Sequence, residues 1–232
     1  MKVLIACEES QRVCIAFRER GHEAYSCDIQ ECSGGHPEWH IQGDVLPLLN
    51  GNCQFETMDG KKHTVDGKWD LLIAHPPCTY MTKAGARWMY PKAGNIDKNR
   101  YEKAMAAKQF FMEFYNTDCE HIAIENQVPL KCVGLKKYSK KIQPYEFDVD
   151  GKHPYSKATL LWLKNLPPLV KTTPNEKPKS PWMPSNTGGF SRGNGGGRGI
   201  AHDAKTASKT FPGIAKAMAE QWSRYIEEEL KV

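Results

Sequence analysis

Short apolar segments alternate with helical patterns through the first half of the chain. Strand-length apolar runs occupy residues 2–7, 22–27, 69–74 and 121–125. Apolar side chains recur at helical spacing in residues 11–20, just before Gly21, and again in residues 99–116. Strands that alternate with helices of these lengths form βαβ units, in which helices cover both faces of a parallel sheet. The sequence therefore predicts an α/β protein with a Rossmann-like, doubly wound and mostly parallel sheet.

Smaller elements complete the pattern. Residues 39–45 are short and extended, and residues 53–65 predict a hairpin around Asp59-Gly60, inserted before the strand at 69–74. The second half predicts strands at 142–148 and 158–163, for which an antiparallel arrangement is open, then an irregular Pro- and Gly-rich segment at 166–200 and a last helix at 214–230.

Size and cysteine usage restrict the class of protein. The 232 residues suffice for one large α/β domain with a small appendage. No apolar stretch reaches the roughly 20 residues that span a bilayer, and the first apolar run is too short for a signal peptide. The eight cysteines include no C-x-x-C pair. We expect a cytoplasmic protein with reduced thiols, no metal site and no membrane contact.

Charge is divided unevenly along the chain. Residues 1–130 carry 14 Lys and Arg against 18 Asp and Glu, whereas residues 131–232 carry 18 against 9. A basic half beside an acidic half favours a polyanionic partner held by one side of the molecule, although a solvated lysine-rich surface gives the same count.

The ends of the predicted strands carry side chains capable of chemistry. In an open α/β sheet, ligands bind beyond the carboxyl ends of the strands. In chain order these ends are Cys7-Glu8-Glu9-Ser10, Asp28, Gly43-Asp44-Val45, Pro76-Pro77-Cys78 and Glu125-Asn126. The sequence therefore predicts one site built from all of these ends.

This order of motifs resembles the S-adenosylmethionine-dependent DNA cytosine-5 methyltransferases, and most closely their short members from bacteriophages and prophages. Four motifs occur in the same order as in that family: the acid after the second strand, G-D-V, P-P-C and E-N. The segment TASKTFPGIAKAMAEQW at 206–222 resembles the last motif of the family. The resemblance implies a class I methyltransferase fold. Its parts would be a catalytic and cofactor-binding core at 1–130, a small basic target-recognition-like region at 131–205, and a C-terminal helix at 206–232 that returns to the core.

The resemblance also implies residue roles. Cys78 would attack C6 of a cytosine flipped out of DNA, Glu125 would protonate or hydrogen-bond N3, and Asn126 would hold the loop. Asp28 would bind the ribose hydroxyls of S-adenosylmethionine, and Asp44 with Val45 would lie beside its adenine. The full set of expected cofactor contacts is Cys7, Glu8, Ser10, Asp28, Ile29, Asp44, Val45 and Pro76.

The chemistry explains these residue types. Cytosine C5 is a poor nucleophile until a thiolate adds at C6, and this addition needs a group that neutralises the charge growing on the ring. A glutamate that is held protonated, or that shares a proton, in a dry pocket can do so. Pro76 and Pro77 fix the backbone before Cys78 and would hold its sulfur rigidly.

Several positions depart from the family pattern. No glycine occurs in residues 1–20, where the family has a glycine-rich turn around the cofactor. Thr79 stands where Gln usually follows the cysteine, and Gln127 stands where Val follows Glu-Asn. Lys157 is the one candidate for the arginine-bearing strand, although lysine lacks the bidentate guanidinium fork.

The remaining candidates concern DNA contacts. In GGFSRGNGGGRG, Arg192 and Arg198 could contact phosphates while Phe190 stacks on a base, or the segment could be a linker. We interpret the aromatic set Trp88, Tyr90, Trp162 and Trp182 as packing rather than as a stacking platform.

Three other functions are compatible with the sequence. One is methylation of an exocyclic amine, whose enzymes also use two prolines at the fourth strand. Another is an inactive methyltransferase-like protein that binds DNA or a host protein, and a third is transfer of a group other than methyl to a pyrimidine. The assembly is a monomer or a homodimer.

Overall fold

The computed structural model describes residues 1–92, 94–177 and 208–231, and its main feature is a seven-stranded mixed sheet. The nine strands are β1 (Lys2–Ala6), β2 (Glu23–Asp28), β3 (His40–Gln42), β4 (Cys53–Glu56), β5 (Lys62–Val65), β6 (Leu71–Ala74), β7 (His121–Asn126), β8 (Lys140–Ile142) and β9 (Thr159–Lys164). The helices within these ranges are α1 (Arg12–Glu19), α2 (Ala86–Met89), α3 (Lys98–Asn116) and α4 (Pro212–Glu229).

The large sheet runs in the order β3-β2-β1-β6-β7-β9-β8. The pairs β3/β2, β2/β1, β1/β6 and β6/β7 are parallel, whereas β9 is antiparallel to both β7 and β8. The α/β class and the mostly parallel sheet are therefore confirmed. Since five neighbouring strands share one direction, their carboxyl ends meet at one edge.

Helices cover both faces of this sheet, because the central strands bury side chains on both. In β1, Leu4 and Ala6 pack into the cluster on the α3 face, whereas Val3 and Ile5 pack into the cluster on the face of α1 and α4. The four side chains of β6 alternate in the same way, and all are fully buried. Continuous apolar runs of this kind belong to strands that are covered on both sides.

The second half departs from the sequence prediction at one strand. Residues 142–148 do not form a strand: β8 ends at Ile142, and Pro144–Phe147 form a 3-10 turn. Pro144 lacks an N–H for a sheet ladder, and the Glu146 side chain accepts the Gln143 backbone N–H at 2.6 Å, which caps the turn. The sheet nevertheless continues into residues 140–164, within the segment expected to form the target-recognition region.

Two predicted elements are confirmed with small shifts. The hairpin β4–β5 lies outside the large sheet and turns at Asp59-Gly60. The last helix, α4, begins two residues earlier than expected, at Pro212, and packs along α1. No helix in the described ranges is long and apolar enough to cross a membrane.

The first turn of α4 lies against the 3-10 turn at a point where only glycine fits. A Cβ at Gly213 would lie 2.0 Å from the carbonyl oxygen of Phe147. Helix propensity alone favours alanine over glycine by about 1 kcal/mol. The close approach of the two backbones opposes this preference.

We predict that Gly213→Ala lowers the free energy of unfolding by about 1–3 kcal/mol, because the added methyl group forces α4 away from Phe147. Urea denaturation measures the change. Gly43→Ala is the matched control, since a Cβ there meets nothing within 4 Å, and its stability should stay within about 0.5 kcal/mol of the wild type. A stabilised Gly213→Ala protein would contradict the packing described here.

Candidate active site

The parallel pairing of β6 with β7 sets the geometry of the site. Ala74 lies opposite Ile124, so the next residues along the two strands, His75 and Glu125, are neighbours. The turn that carries Cys78 follows directly from β6. Cys78 and Glu125 are therefore brought together, as the sequence predicts.

The turn around Cys78 is held from several directions. The Asn126 side chain donates a hydrogen bond from Nδ2 to the Pro76 carbonyl oxygen at 2.9 Å, and both residues are buried. The Met81 N–H donates to the Cys78 carbonyl at 3.2 Å, which closes a tight turn. Beyond it, the backbone at residues 81–83 pairs with residues 128–130 after β7. The cysteine is thus fixed relative to the end of β7.

Glu125 forms an ion pair with His75. His75 Nδ1 and Glu125 Oε2 are 3.1 Å apart, and the two side chains are 9% and 16% exposed. Burial acts to raise the pKa of Glu125, but the hydrogen bond and charge of His75, together with the charge of Lys157, outweigh it and lower the pKa. Burial acts to lower the pKa of His75, but Glu125 and then Glu8 outweigh it and raise the pKa. Both shifts favour the charged form of the pair, an imidazolium beside a carboxylate.

Cys78 is a thiol in the free protein. Burial raises its pKa, and the negative charge of Glu125 adds to this effect. The charge of Lys157 and a hydrogen bond with the Thr82 side chain act in the opposite direction without reversing it. The sulfur needs a proton acceptor before it can act as a nucleophile.

Lys157 lies at the same place, just before β9. It contributes charge to both Cys78 and Glu125, and its Nζ lies 5.8 Å from the centre of the Phe211 ring. A narrow recess of about 10 Å³ lies here, and its lining includes Glu125, Lys157, Thr159 and Phe211. The carboxylate of Glu125 and the ammonium of Lys157 therefore lie at one recess.

A second group of predicted residues gathers at the ends of β1, β2 and β3. Burial, followed by the charges of Asp28, Cys27 and Asp44, raises the pKa of the Cys7 thiol, so these side chains converge. Asp28 and Asp44 each accept a backbone N–H two residues further on, at 2.9 and 3.0 Å. Val45, by contrast, is buried in the core on the α3 face. We call the carboxylates of Asp28 and Asp44, together with the Cys7 thiol beside them, the acidic corner.

Ile29 stands out in this corner. Its side chain is 77% exposed, the highest value among the large hydrophobic residues of the described ranges. It follows Asp28 directly, and its carbonyl lies 3.5 Å from the Gln42 side-chain amide. An apolar surface beside two carboxylates suits a ligand with a flat ring and hydroxyl or cationic groups.

The turn from β1 to α1 adopts a glycine-like path without glycine. Cys7 and Gln11 both have φ of 58°, in the left-handed region that L-residues with a side chain seldom adopt. Gln11 is fixed there by side-chain hydrogen bonds with the backbone of His36 at 2.8 and 3.1 Å. Left-handed non-glycine residues cost of order 1–3 kcal/mol each and cluster at functional sites.

Glu8 occupies the N-terminus of α1. Its two carboxylate oxygens accept the N–H groups of Val13 and Cys14 at 2.7 and 3.1 Å, and the Ser10 side chain also hydrogen-bonds to it. Phosphates of nucleotides bind at helix N-termini of this kind. A pyrophosphate cannot use these amides while Glu8 holds them, so the corner favours a ligand without phosphates.

A basic aromatic surface, formed by Tyr80, Arg87, Trp88, Arg100 and Lys103, extends from the Cys78 turn. The Arg87 guanidinium lies 3.9 Å from the Trp88 ring centre, and Arg100 lies 5.4 Å from it. Arg100 also lies 5.1 Å from the Tyr80 ring and donates to the Thr79 carbonyl at 2.9 Å. In the described part of the chain, none of the cations of residues 81–103 forms an ion pair.

Sequence reasoning missed two features of the site and could not place a third. One is His75, which directly precedes P-P-C and whose pairing with Glu125 depends on the register of β6 and β7. The basic segment was hidden by counting charge over halves, because residues 81–103 carry six Lys and Arg against two Asp and Glu. Trp88 and Tyr90 are exposed, whereas Trp162 is buried as expected. Arg192, Arg198, Phe190 and Trp182 lie outside the described residues.

Comparison with known proteins adds no relative: no protein-family model and no curated protein matches the chain. Within residues 1–92, 94–177 and 208–231, no group of three or more His, Cys, Asp or Glu side chains is placed to hold a metal ion. Function is therefore argued from the site itself.

We predict that Cys78 is alkylated slowly by iodoacetamide and that its rate rises only above the ordinary thiol pKa of about 8.5. Glu125→Gln should accelerate this alkylation several-fold at mildly alkaline pH, because it removes the negative charge that raises the pKa of Cys78. Mass spectrometry of the Cys78 peptide measures the rate. Glu120→Gln, at an exposed position before β7, should change nothing, and an equal rate in the Glu125 variant would refute the electrostatic coupling.

Proposed function

We propose that the chain is an S-adenosylmethionine-dependent DNA cytosine-5 methyltransferase. The observation that carries this proposal is the juxtaposition of Cys78 and Glu125 at the ends of β6 and β7, with Asn126 fixing the loop between them. A thiol next to a buried carboxylate is the pair that addition to C6 of a cytosine requires. Lys157 adds a cation at the same recess.

The residues divide the reaction between them. The Sγ–C6 bond forms as the thiol loses its proton and N3 of the base gains one, so the site as a whole keeps its proton count. Glu125 contacts N3, Asn126 holds the turn through Pro76, and Lys157 favours a phosphate or carbonyl oxygen of the substrate. The base reaches Cys78 and Glu125 only when it leaves the duplex stack. C5 would accept the methyl group of the bound cofactor, and the C5 proton would leave to water as Sγ departs from C6.

The acidic corner supports the choice of cofactor. S-adenosylmethionine carries a sulfonium and an ammonium group and no phosphate, so Asp28 and Asp44 attract it where they would repel a nucleotide phosphate. Asp28 suits the ribose hydroxyls, and the exposed Ile29 suits the adenine ring. Glu8 closes the helix N-terminus to phosphates, which disfavours a dinucleotide cofactor on this Rossmann-like sheet.

The topology also argues against a dinucleotide-binding protein. An all-parallel dinucleotide-binding sheet has the order 3-2-1-4-5-6. The large sheet of the present protein has seven strands, one more than that order, and does not include the β4–β5 hairpin. Its additional strand, β9, is antiparallel to both neighbours. The reversed β9 distinguishes this sheet from the all-parallel dinucleotide-binding order, which supports another class of Rossmann-like protein.

The basic aromatic surface supports a nucleic-acid substrate. Unpaired Arg and Lys side chains bind phosphates, and exposed aromatic rings stack on unpaired bases. This surface begins two residues after Cys78, so DNA that rests on it would pass the proposed nucleophile.

We predict that the wild-type protein, incubated with S-adenosylmethionine and DNA of mixed sequence, yields 5-methylcytosine among the hydrolysed nucleosides by mass spectrometry. Cys78→Ser should abolish this product, and Glu125→Gln should reduce its rate by about 100-fold or more. Methylated exocyclic amine that persists in Cys78→Ser would instead establish amine chemistry. Another mass increment on the pyrimidine would replace methyl as the transferred group.

We further predict that Trp88→Ala weakens binding of a fluorescent single-stranded oligonucleotide by about 10-fold, since base stacking on an aromatic ring is worth ~1–3 kcal/mol. Arg87→Ala should lower the slope of log affinity against log salt by about one. Fluorescence anisotropy measures both. Arg20→Ala is the control, because this exposed arginine lies at the opposite edge of the sheet. Unchanged binding in both surface variants would remove the surface from the DNA path.

A further inference from the structure

The strongest unexplained feature of the site is His75. Its Nδ1 is engaged with Glu125, but its Nε2 is buried and has no hydrogen-bond partner among the described residues. An unpartnered buried polar atom destabilises the folded state. Such exceptions call for an explanation, and a catalytic role is one of those that accounts for them.

We propose that His75 is a positioning residue that keeps the Glu125 carboxylate ionised and aimed, so that Glu125 accepts the Cys78 proton and delivers it to N3. This inference rests on the proposed function. It adds a residue that the resemblance to cytosine-5 methyltransferases does not supply.

The electrostatic surroundings explain why a histidine is needed. Glu125 is buried, and burial favours its protonated carboxyl, an effect that the charge of His75 opposes. A protonated Glu125 could not take the thiol proton of Cys78, which is itself retained because the sulfur is buried. With His75 charged, Glu125 is an acceptor in the free protein and becomes a donor only after the thiol has given up its proton.

The charged groups that face the pair come from four elements. Glu8, in the turn after β1, faces His75 and supports its positive charge. Lys157, before β9, faces Glu125 and supports its negative charge, and Cys78, in the turn after β6, lies on the same side. Glu125 itself ends β7. Of the two cations that lower the pKa of Glu125, removal of the His75 charge leaves Lys157.

One proton relays through Glu125, and one other leaves the site. In the first step Sγ bonds to C6, the thiol proton moves to Glu125, and Glu125 passes that same proton to N3. His75 stays protonated throughout and forms no bond to the substrate. After C5 has accepted the methyl group, the C5–H bond breaks and its proton leaves to water as Sγ departs from C6, while N3 returns its own proton through Glu125 and restores the thiol.

The test is the pH dependence of single-turnover methylation in His75→Asn. In the wild type, Glu125 is ionised down to acid pH because its pKa is lowered. In His75→Asn that pKa rises, so the acid limb of the rate profile should move to higher pH, and the rate at neutral pH should fall by about 10-fold or more. Binding of S-adenosylmethionine should be unchanged. An acid limb that stays in place would overturn the proposal.

The chain offers a matched control on the same strand. His121, at the other end of β7, pairs through Nε2 with Glu229 Oε2 at 2.9 Å, away from the recess. His121→Asn should leave the acid limb where it is in the wild type. If His75→Asn fails to fold, His75→Gln decides the matter, because it too lacks the charge.

A second readout separates this inference from the proposed function. NMR titration of the histidine signals should give His75 a pKa above the ordinary value of about 6.5. In Glu125→Gln the pKa of His75 should fall back towards or below that value. If the titration behaves so and no 5-methylcytosine forms, the pair stands and the proposed function fails. If 5-methylcytosine forms but His75 titrates normally and His75→Asn keeps the profile, the function stands and this inference fails.

Discussion

The parallel pairing of β6 with β7 is the constraint on which the site depends. Because Ala74 lies opposite Ile124, the next residues, His75 and Glu125, lie side by side at the ends of the two strands. The turn that carries Cys78 follows directly after His75. A shift of one residue would turn Glu125 to the opposite face of the sheet. The bond from Asn126 to the Pro76 carbonyl then ties the turn back to β7. The chemistry follows from these backbone positions.

The electrostatics of the sheet edge divide along the strand order. Carboxylates follow β2 and β3, where Asp28 and Asp44 create a negative corner beside Cys7. Cations lie on the other side of Cys78. Arg87 and Arg100 follow β6 on the surface next to the Cys78 turn, and Lys157 precedes β9 and contributes its charge at Cys78. A cationic cofactor and an anionic substrate would approach such an edge from different sides. The buried pair of His75 and Glu125 lies at the boundary between the two regions.

Sequence patterns located the strand ends well and the contacts between them poorly. Apolar runs with Asp28, Cys78 or Glu125 at their ends identified the edge where the site forms, because strand ends follow from local composition. The pairing of His75 with Glu125 was not visible, since it depends on the register of strands separated by 50 residues. The 3-10 turn at residues 144–147, by contrast, follows from local residues, because Pro144 has no N–H for a sheet ladder and Glu146 accepts the Gln143 N–H. Side-chain identity predicts which groups are available, and only the fold determines which of them meet.

The central claim is that Cys78 forms a covalent bond to C6 of cytosine. The most direct measurement is trapping with DNA that contains 5-fluorocytosine, because fluorine at C5 cannot be removed and the adduct therefore persists after methyl transfer. In the presence of S-adenosylmethionine we expect a denaturant-stable protein–DNA adduct that peptide mass spectrometry assigns to Cys78 and that Cys78→Ser lacks. A wild-type protein that binds both DNA and cofactor but yields no adduct at Cys78 would contradict the account.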